Sequence, residues 1–533
     1  MSHALGIELA IVAAYVAVLV GIGASFARRQ TTTDTYFVAR RSVPGWAMGM
    51  SMFATIITAV TVIAYPGASY AGDWSLLVPG FMVLGVLALV GVVIIPFFRH
   101  AVGMSAYEYF GKRFGNGVRV YSSLAFAAGH FSKMGVVLYL LALTVSSMTS
   151  WNVYVIVYAV GAATVLYTLI GGMQAVVWTD VVQGIILWLG IFIVLGYLWA
   201  LTPGGAHAAI ALAAAQHKFS LGSSSLSLSK PTLLVLCLYG FFFYLQKYTA
   251  DQTLVQRYLI ARTDKEALRG VGLGALLCVP VWALFMLIGT LLWAFYKLSG
   301  ETLPATIKKA DEIFPYFLST HISPVFTGLF LAALFGAAMS SMASDLNCIA
   351  VVGVEDFYRR IRPRATDAKA LRAAKIIVAV FGVLTMVFAA ELAGSKGTAL
   401  SLYFTITSIV AGGLAGLFLL AFLCPRANTE GVTVGIVLSL VVTAWATLTL
   451  DHGSVVNLGR WNYPLDNYMI GVIGHIVLFA TGYIASLCFS DGTPGPGELT
   501  LWGWLAHRRT TAIAAVDRFV SQKSNSSLTG RTL

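Results

Sequence analysis

Thirteen stretches of mostly apolar residues, each close to or above the roughly 20 residues that a spanning helix needs, alternate with short polar connections along the chain. Numbered from zero, they cover 5–26, 46–72, 76–98, 118–149, 153–171, 177–201, 232–251, 270–296, 323–352, 374–394, 401–424, 430–450 and 467–489. The pattern predicts an all-α integral membrane protein, and an odd number of crossings puts the termini on opposite sides. Segment 5–26 lacks the basic stretch and small-residue cleavage site of a signal peptide, so it is expected to remain in the mature chain.

The basic residues assign the sides. Alternate connections, including the tail, hold 25 of the 34 Lys and Arg residues, and the opposite ones hold seven. By the positive-inside rule the rich side is cytoplasmic, with the N-terminus outside and the C-terminus inside. The two remaining cations, Lys133 and Lys247, fall within predicted spans. The net charge of +12 is thus mainly an orientation signal facing anionic lipid, and nothing in it calls for nucleic acid.

Composition agrees: 58% of residues are hydrophobic and 11% charged, where a soluble domain carries about 25% charged residues. The five cysteines sit in or beside apolar runs without metal spacing, so no disulfide is expected. No GxSxG, HExxH or paired-histidine spacing is present, and His130 and His475 each read as lone histidines on apolar faces. No catalytic group is predicted, and no cofactor. Residues 1–489 read as one transmembrane domain and 490–533 as a cytoplasmic tail, a helix followed by disorder.

Three runs carry misplaced polarity. Span one contains Thr55, Thr58, Thr61, Pro66 and Gly67, which invite unwinding; irregular backbone at membrane depth is tolerated where protein or a cavity satisfies it. Span six carries Gln246, Lys247, Thr249 and Asp251 in its second half. Two interrupted helices at matching places in two halves point to a transport site. In span eight, GAAMSSMAS puts Ser340 and Ser341 in otherwise hydrocarbon surroundings. These hydroxyls either bond back to carbonyls one turn earlier and ease close packing, or serve a desolvated cation.

Several motifs together resemble the sodium:solute symporter family: DTYFVARR, WAMGMSMFAT, SAYEYFGKRFG, GGMQAVVWTD, DQTLVQRYLIARTDKEA and AAMSSMASDLN, in order over nearly the whole chain. The resemblance implies a five-plus-five inverted repeat with broken helices, here a leading helix at 5–26, repeats at 46–201 and 232–424, and trailing helices at 430–489. It implies a sodium ion held by carbonyls of Ala54, Ile57 and Ala337 and hydroxyls of Ser340 and Ser341. A possible second sodium would use Asp180 and Ser344, but Ala343 stands where two-sodium members carry a hydroxyl, so one sodium per cycle is expected. Asp180 also reads as a carboxylate bonded to Thr179 or the span-eight serines, and Asp180→Asn is expected to weaken sodium dependence only mildly.

For the solute, the residues that contact sugar in galactose-carrying relatives are replaced, with Ile56, Thr61, Cys278 and Lys247 in their places. Sialic-acid-carrying relatives are closer, which implies substrate contacts at Thr58 and Thr61 and an anion partner at Lys133, with Lys247 as a second candidate. Each lysine also has a reading without substrate: Lys247 pairs with Asp251 or snorkels, and Lys133 pairs with a carboxylate such as Asp180. Tyr65, Phe243, Tyr244 and Tyr248 are candidate gating aromatics, and Asp345 either tunes ion release or bonds a neighbour such as Asn347. The expected activity is sodium-driven import of an anionic sugar acid or carboxylate across the plasma (inner) membrane, with no obligatory protein partner. A neutral sugar or polyol is the alternative, and a channel or a sensor on the same fold is the rival from another class.

Overall fold

A computed structural model describes residues 2–149, 151–305, 307–394, 412–450, 456–489 and 497–508. The described chain is helical, with one isolated bridge between Val43 and Ala261. Among the described residues, nine helices are long and apolar enough to cross a membrane, or eleven if two sharply bent pairs each count as one crossing. The predicted span 401–424 lies partly outside the described residues, and its end forms the helix Leu414–Leu423.

In chain order, α1 (Ser2–Phe26) is followed by α2 (Thr33–Val38) and by the bent pair α3 (Gly45–Ile56) and α4 (Ala59–Ala71). A second bent pair, α5 (Leu77–Val86) and α6 (Val92–Ala101), leads through α7 (Tyr107–Phe114) to the long helices α8 (Asn116–Thr149) and α9 (Val153–Leu201). After α10 (Gly205–Ala215) come α11 (Leu233–Ala250), α12 (Gln252–Ile260), α13 (Asp264–Ser299), α14 (Ile313–His321) and α15 (Pro324–Val352).

Predicted spans 153–171 and 177–201 run together as α9, but Gly172 interrupts its helical geometry at φ 56°, ψ −156°, a region essentially restricted to glycine. A Cβ there would stand 2.7 Å from Tyr36 Cδ2 and 2.8 Å from Tyr36 O. Gly172→Ala is therefore expected to destabilise the protein by about 1–3 kcal/mol, visible as a lower melting temperature in detergent.

α15 is the axis of the fold. It packs against α1, α3, α8 and α9, and every residue from Phe330 to Val352 is buried. This all-round burial accounts for an apolar run without amphipathic periodicity. α3 crosses α13 through glycines: a Cβ on Gly49 would lie 2.6 Å from Gly270 O, and one on Gly270 would lie 2.3 Å from Gly45 O. Small residues at this spacing bring two backbones into contact.

Of the two expected helix breaks, one is present. α3 and α4 meet at 59°, with Ile57 and Thr58 extended between them. The break falls at Ile57 and Thr58, while Pro66 sits within α4. Span six differs from expectation: α11 stays helical through Gln246, Lys247 and Thr249, and the chain leaves helical geometry only at Asp251. An i,i+4 ion pair between Lys247 and Asp251 lets the polar residues remain within the helix.

Beyond the membrane helices, Trp502 Nε1 donates to Leu423 O at 3.0 Å and Tyr109 Oη to Leu499 O at 3.0 Å, so residues 497–508 pack against the bundle. The rest of the tail, including the segment expected to be disordered, lies outside the described residues. All five cysteines are free.

Candidate functional site

The break between α3 and α4 frees backbone carbonyls. The last helical bond of α3 runs from the Ile57 N–H to Phe53 O at 3.0 Å. The next N–H, of Thr58, would reach Ala54 O in a continuing helix; instead it donates to Thr61 Oγ1 at 3.4 Å. Ala54 and Ile57 therefore sit among the last carbonyls of α3, which have no intrahelical donor, and both residues are buried. α15 lies alongside: Thr55 Oγ1 is 3.2 Å from Ser344 Oγ.

The serines do not bond back to their own helix. Ser340 Oγ donates to Asp180 Oδ1 on α9 at 2.6 Å. Ser341 is 1% exposed, and its Oγ is buried without a hydrogen-bond partner among the described residues. An unsatisfied buried hydroxyl costs about 1–3 kcal/mol, so a packing role alone leaves this oxygen unexplained. Ala337, one turn earlier on α15, is also buried.

Asp180 anchors a buried polar cluster beside these serines. Ser51 Oγ donates to its Oδ2 at 2.5 Å, and Arg257 Nη2 reaches the same oxygen at 3.3 Å. Arg257 also bonds the Ser344 hydroxyl and donates through Nη1 to Thr253 O at 2.8 Å. Both charged side chains are fully buried. Thr179, considered above as a partner, instead donates to the carbonyls of Ala175 and Val176.

Sequence reasoning missed Arg257, counting it among the cytoplasmic loop cations, whereas it lies on α12, whose nine residues are all buried. A nine-residue helix with polar positions scattered through it carries no periodic signature of burial. Its neighbour Gln256 donates to Phe37 O and Asn347 Oδ1 at 2.6 and 2.8 Å.

The two membrane lysines occupy one pocket of about 190 Å³, together with His130, Phe243, Gln246 and Asp251. Lys133 pairs with Asp345 at 3.1 Å, not with Asp180, and Lys247 pairs with Asp251 at 2.5 Å. His130 joins the two pairs and is no lone histidine on an apolar face: Nδ1 is 2.7 Å from Asp345 Oδ1 and Nε2 is 3.1 Å from Asp251 Oδ2. Asp345 thus faces α8 rather than Asn347. His475 does lie among apolar neighbours, its ring stacked on Phe242.

Among the candidate aromatics, Phe243 flanks the Lys247 ammonium at 5.7 Å, while Tyr244 packs on Trp282 and Tyr248 is buried. Thr58 and Thr61 are half-buried at the start of α4, where Thr61 already caps the helix.

A second, larger pocket of about 500 Å³ lies along α4 and the C-terminal half of α8, with Val60, Ala64, Thr144, Lys309, Asp311 and Glu312 in its wall. Asp311 approaches α4 so closely that a Cβ on Gly67 would meet its Oδ1 at 2.1 Å. Burial pushes the Asp311 carboxyl above its usual range, with Lys309 opposing. The connection carrying these charges read only as a polar loop, because nothing in its sequence marks it as folding back over α4.

Comparison with known proteins supplies the frame for these features. The sodium/sialic acid symporter NanT of Aliivibrio fischeri is 30% identical over 90% of this chain and 92% of its own length. The sodium/sialic acid symporter SiaT of Proteus mirabilis is 30% identical over 91% and 95%. A solved Na+-coupled sialic acid symporter, described as a substrate-bound outward-open state with a novel Na+ site, superimposes with a TM-score of 0.84 at 30% identity, covering 92% of this chain and 98% of its own. Mhp1, a nucleobase-cation-symport-1 family transporter, shares the fold at 15% identity and a TM-score of 0.57. The sequence pattern that defines the sodium:solute symporter family matches residues 36–439, a stretch containing the α3–α4 break, the α15 serines and the Asp180–Arg257 pair, and the chain belongs to that family.

Proposed function

We propose that this protein imports an anionic sugar acid of the sialic acid type together with one sodium ion, by alternating access, across the plasma (inner) membrane. The observation that carries the sodium assignment is the buried Ser341 hydroxyl, unpartnered among the described residues, beside the unwound end of α3. Carbonyls of Ala54, Ile57 and Ala337 with the hydroxyls of Ser340 and Ser341 form a neutral set of five oxygens, suited to a hard monovalent cation that must also be released. Asp180 and Ser344, the candidates for a second sodium, are engaged by Arg257, and Ala343 offers no hydroxyl, which favours one sodium per cycle. The thirteen-span count, the orientation with the N-terminus outside, the two repeats and the division at 489 belong to the same reading, which places the pocket under α4 toward the outside and the lysine pocket toward the cytoplasm.

The anionic solute is favoured by the relatives of similar length that carry sialic acid and by Lys133 and Lys247 in one pocket wall. Thr58 and Thr61, at the start of α4, supply hydroxyls to the solute. A neutral sugar or polyol is the second reading, favoured by the fact that both ammonium groups are already matched by aspartates. The two differ electrically. One sodium with one monovalent anion moves no net charge, whereas one sodium with a neutral solute gains about 2.3 kcal/mol per 100 mV.

Purified protein in liposomes with an imposed sodium gradient tests both readings, with sialic acid, hexuronates, short carboxylates and neutral sugars as solutes. Uptake of sialic acid that vanishes when choline replaces sodium and that ignores an imposed voltage is the expected result. Voltage-driven uptake of a neutral sugar would establish the second reading, and accumulation without sodium would end both. Steady current at rates beyond a carrier cycle would mark a channel. In the same assay Lys133→Gln is expected to abolish anion uptake while sodium binding persists; unchanged uptake removes Lys133 from the solute site.

A further inference from the structure

The bridge at His130 has a proton requirement. The ring is 8% exposed and lies against Phe126, with centroids 4.1 Å apart. Each of its nitrogens faces a carboxylate oxygen, at 2.7 and 3.1 Å. A neutral imidazole has one N–H and one lone pair, so with both aspartates ionised one of these contacts would set lone pair against lone pair. Both contacts become hydrogen bonds when both ring nitrogens carry a proton.

The charges facing the ring come from several elements. Asp345 on α15 is held by Lys133, and Asp251 by Lys247 on α11. The other oxygen of Asp251 accepts from the N–H and hydroxyl of Thr253 on α12, at 2.8 and 2.5 Å. Two ammonium groups balance two carboxylates, and the proton on His130 is the one charge left over. Nearby, Cys348 of α15 donates to Gln256 Oε1 at 2.8 Å, and Tyr107 of α7 donates to Ala250 O at 3.1 Å; neither occupies the imidazole nitrogens.

We propose that His130 is a proton-binding site distinct from the sodium site, whose bound proton fastens the α11–α12 junction to α8 and α15 and leaves when Asp251 withdraws. The fastening is specific. Asp345 and Lys133 stay with His130 on the α8–α15 side, whereas Asp251 belongs to the chain that enters α12, so separating these elements breaks the Nε2 contact and removes one of the two carboxylates that hold the proton. In a transport cycle that separates these elements, a step that rests on the alternating-access reading above, one proton is released and rebound on each turn.

Two measurements test the site. Nitrogen NMR of the full-length protein in lipid, labelled in histidine, reads the proton without transport. One imidazolium should remain at a mildly alkaline pH at which an unperturbed histidine is neutral, and it should vanish in His130→Gln. A spectrum in which every histidine is neutral at that pH overturns the proposal, and so does a persistent imidazolium that His130→Gln leaves in place. If the variant does not fold, replacing the other eight histidines one at a time assigns the signal, since an imidazolium at His130 survives each replacement and one lost with another histidine overturns the proposal. In liposomes with equal pH on both faces, wild-type uptake should slow on acidification, with a slope approaching about tenfold per pH unit, and the uptake that His130→Gln retains should have a flat profile. The same slope in both proteins overturns the link to transport. Loss of sodium dependence with the NMR signal intact would instead remove the symport reading and leave the proton site standing.

Discussion

Replacing Ser341 by alanine is expected to raise the sodium concentration for half-maximal uptake by about 10- to 100-fold, the equivalent of one charge-assisted interaction of about 1.5–3 kcal/mol. In the absence of an ion the Ser341 oxygen has no bond to lose among the described residues, where it is buried and unpartnered. Alanine removes that unsatisfied oxygen at little cost to folding, so the melting temperature without sodium should hold or rise slightly. The stabilisation that sodium gives the wild-type protein should shrink, because an ion that binds the folded state stabilises it according to its concentration relative to its dissociation constant. Ser340 should behave differently, since its hydroxyl also donates to Asp180 at 2.6 Å; Ser340→Ala loses sodium affinity and stability together. Equal sodium titrations for wild type and Ser341→Ala would remove this oxygen from the coordination sphere.

Asp180→Asn is expected to destabilise the protein by about 3–5 kcal/mol, the cost of leaving one member of a buried ion pair without its partner. The mild effect expected of this substitution from sequence concerns sodium dependence, and stability is a separate quantity. Arg257 sets the cost in stability: both side chains are fully buried, and Asp180 is the only carboxylate that Arg257 reaches among the described residues. An amide at position 180 keeps partners in Ser51 and Ser340 but cannot balance the guanidinium. Arg257→Gln should be comparably damaging, and the double variant Asp180→Asn with Arg257→Gln should recover much of the loss, since two neutral groups remain. Thermal unfolding of the four proteins in detergent measures the coupling; additive losses would show that the pair acts as two independent groups.

The legibility of the site follows the physics of each residue. Ser340 and Ser341 stand out because a hydroxyl in hydrocarbon demands an explanation, and the break in span one is announced by threonines whose oxygens compete with the helix. Lys133 and Lys247 are visible for the same reason, and so is Asp251 one turn beyond Lys247, but the partner of Lys133 is not: Asp345 lies 212 residues away in sequence, and no local rule links the two. Span six misleads because polar residues near a helix end look like a break until an i,i+4 pair neutralises them. His130 escapes notice because a histidine between apolar neighbours carries no sign of the carboxylates that approach it from two other helices. Arg257 and the rest of α12 are hidden by brevity, since nine residues are too few to set a short buried segment apart from a surface connection.

Where α3 meets α13, glycine stands opposite backbone with no side chain between, and such a contact has no slack. Neither helix can slide or roll against the other without collision, so a motion that carries α13 is expected to carry the ruptured end of α3 with it. Positions 45, 49 and 270 are thereby constrained by distance, indifferent to the cargo, and a side chain larger than hydrogen at any of them would prise the pair apart.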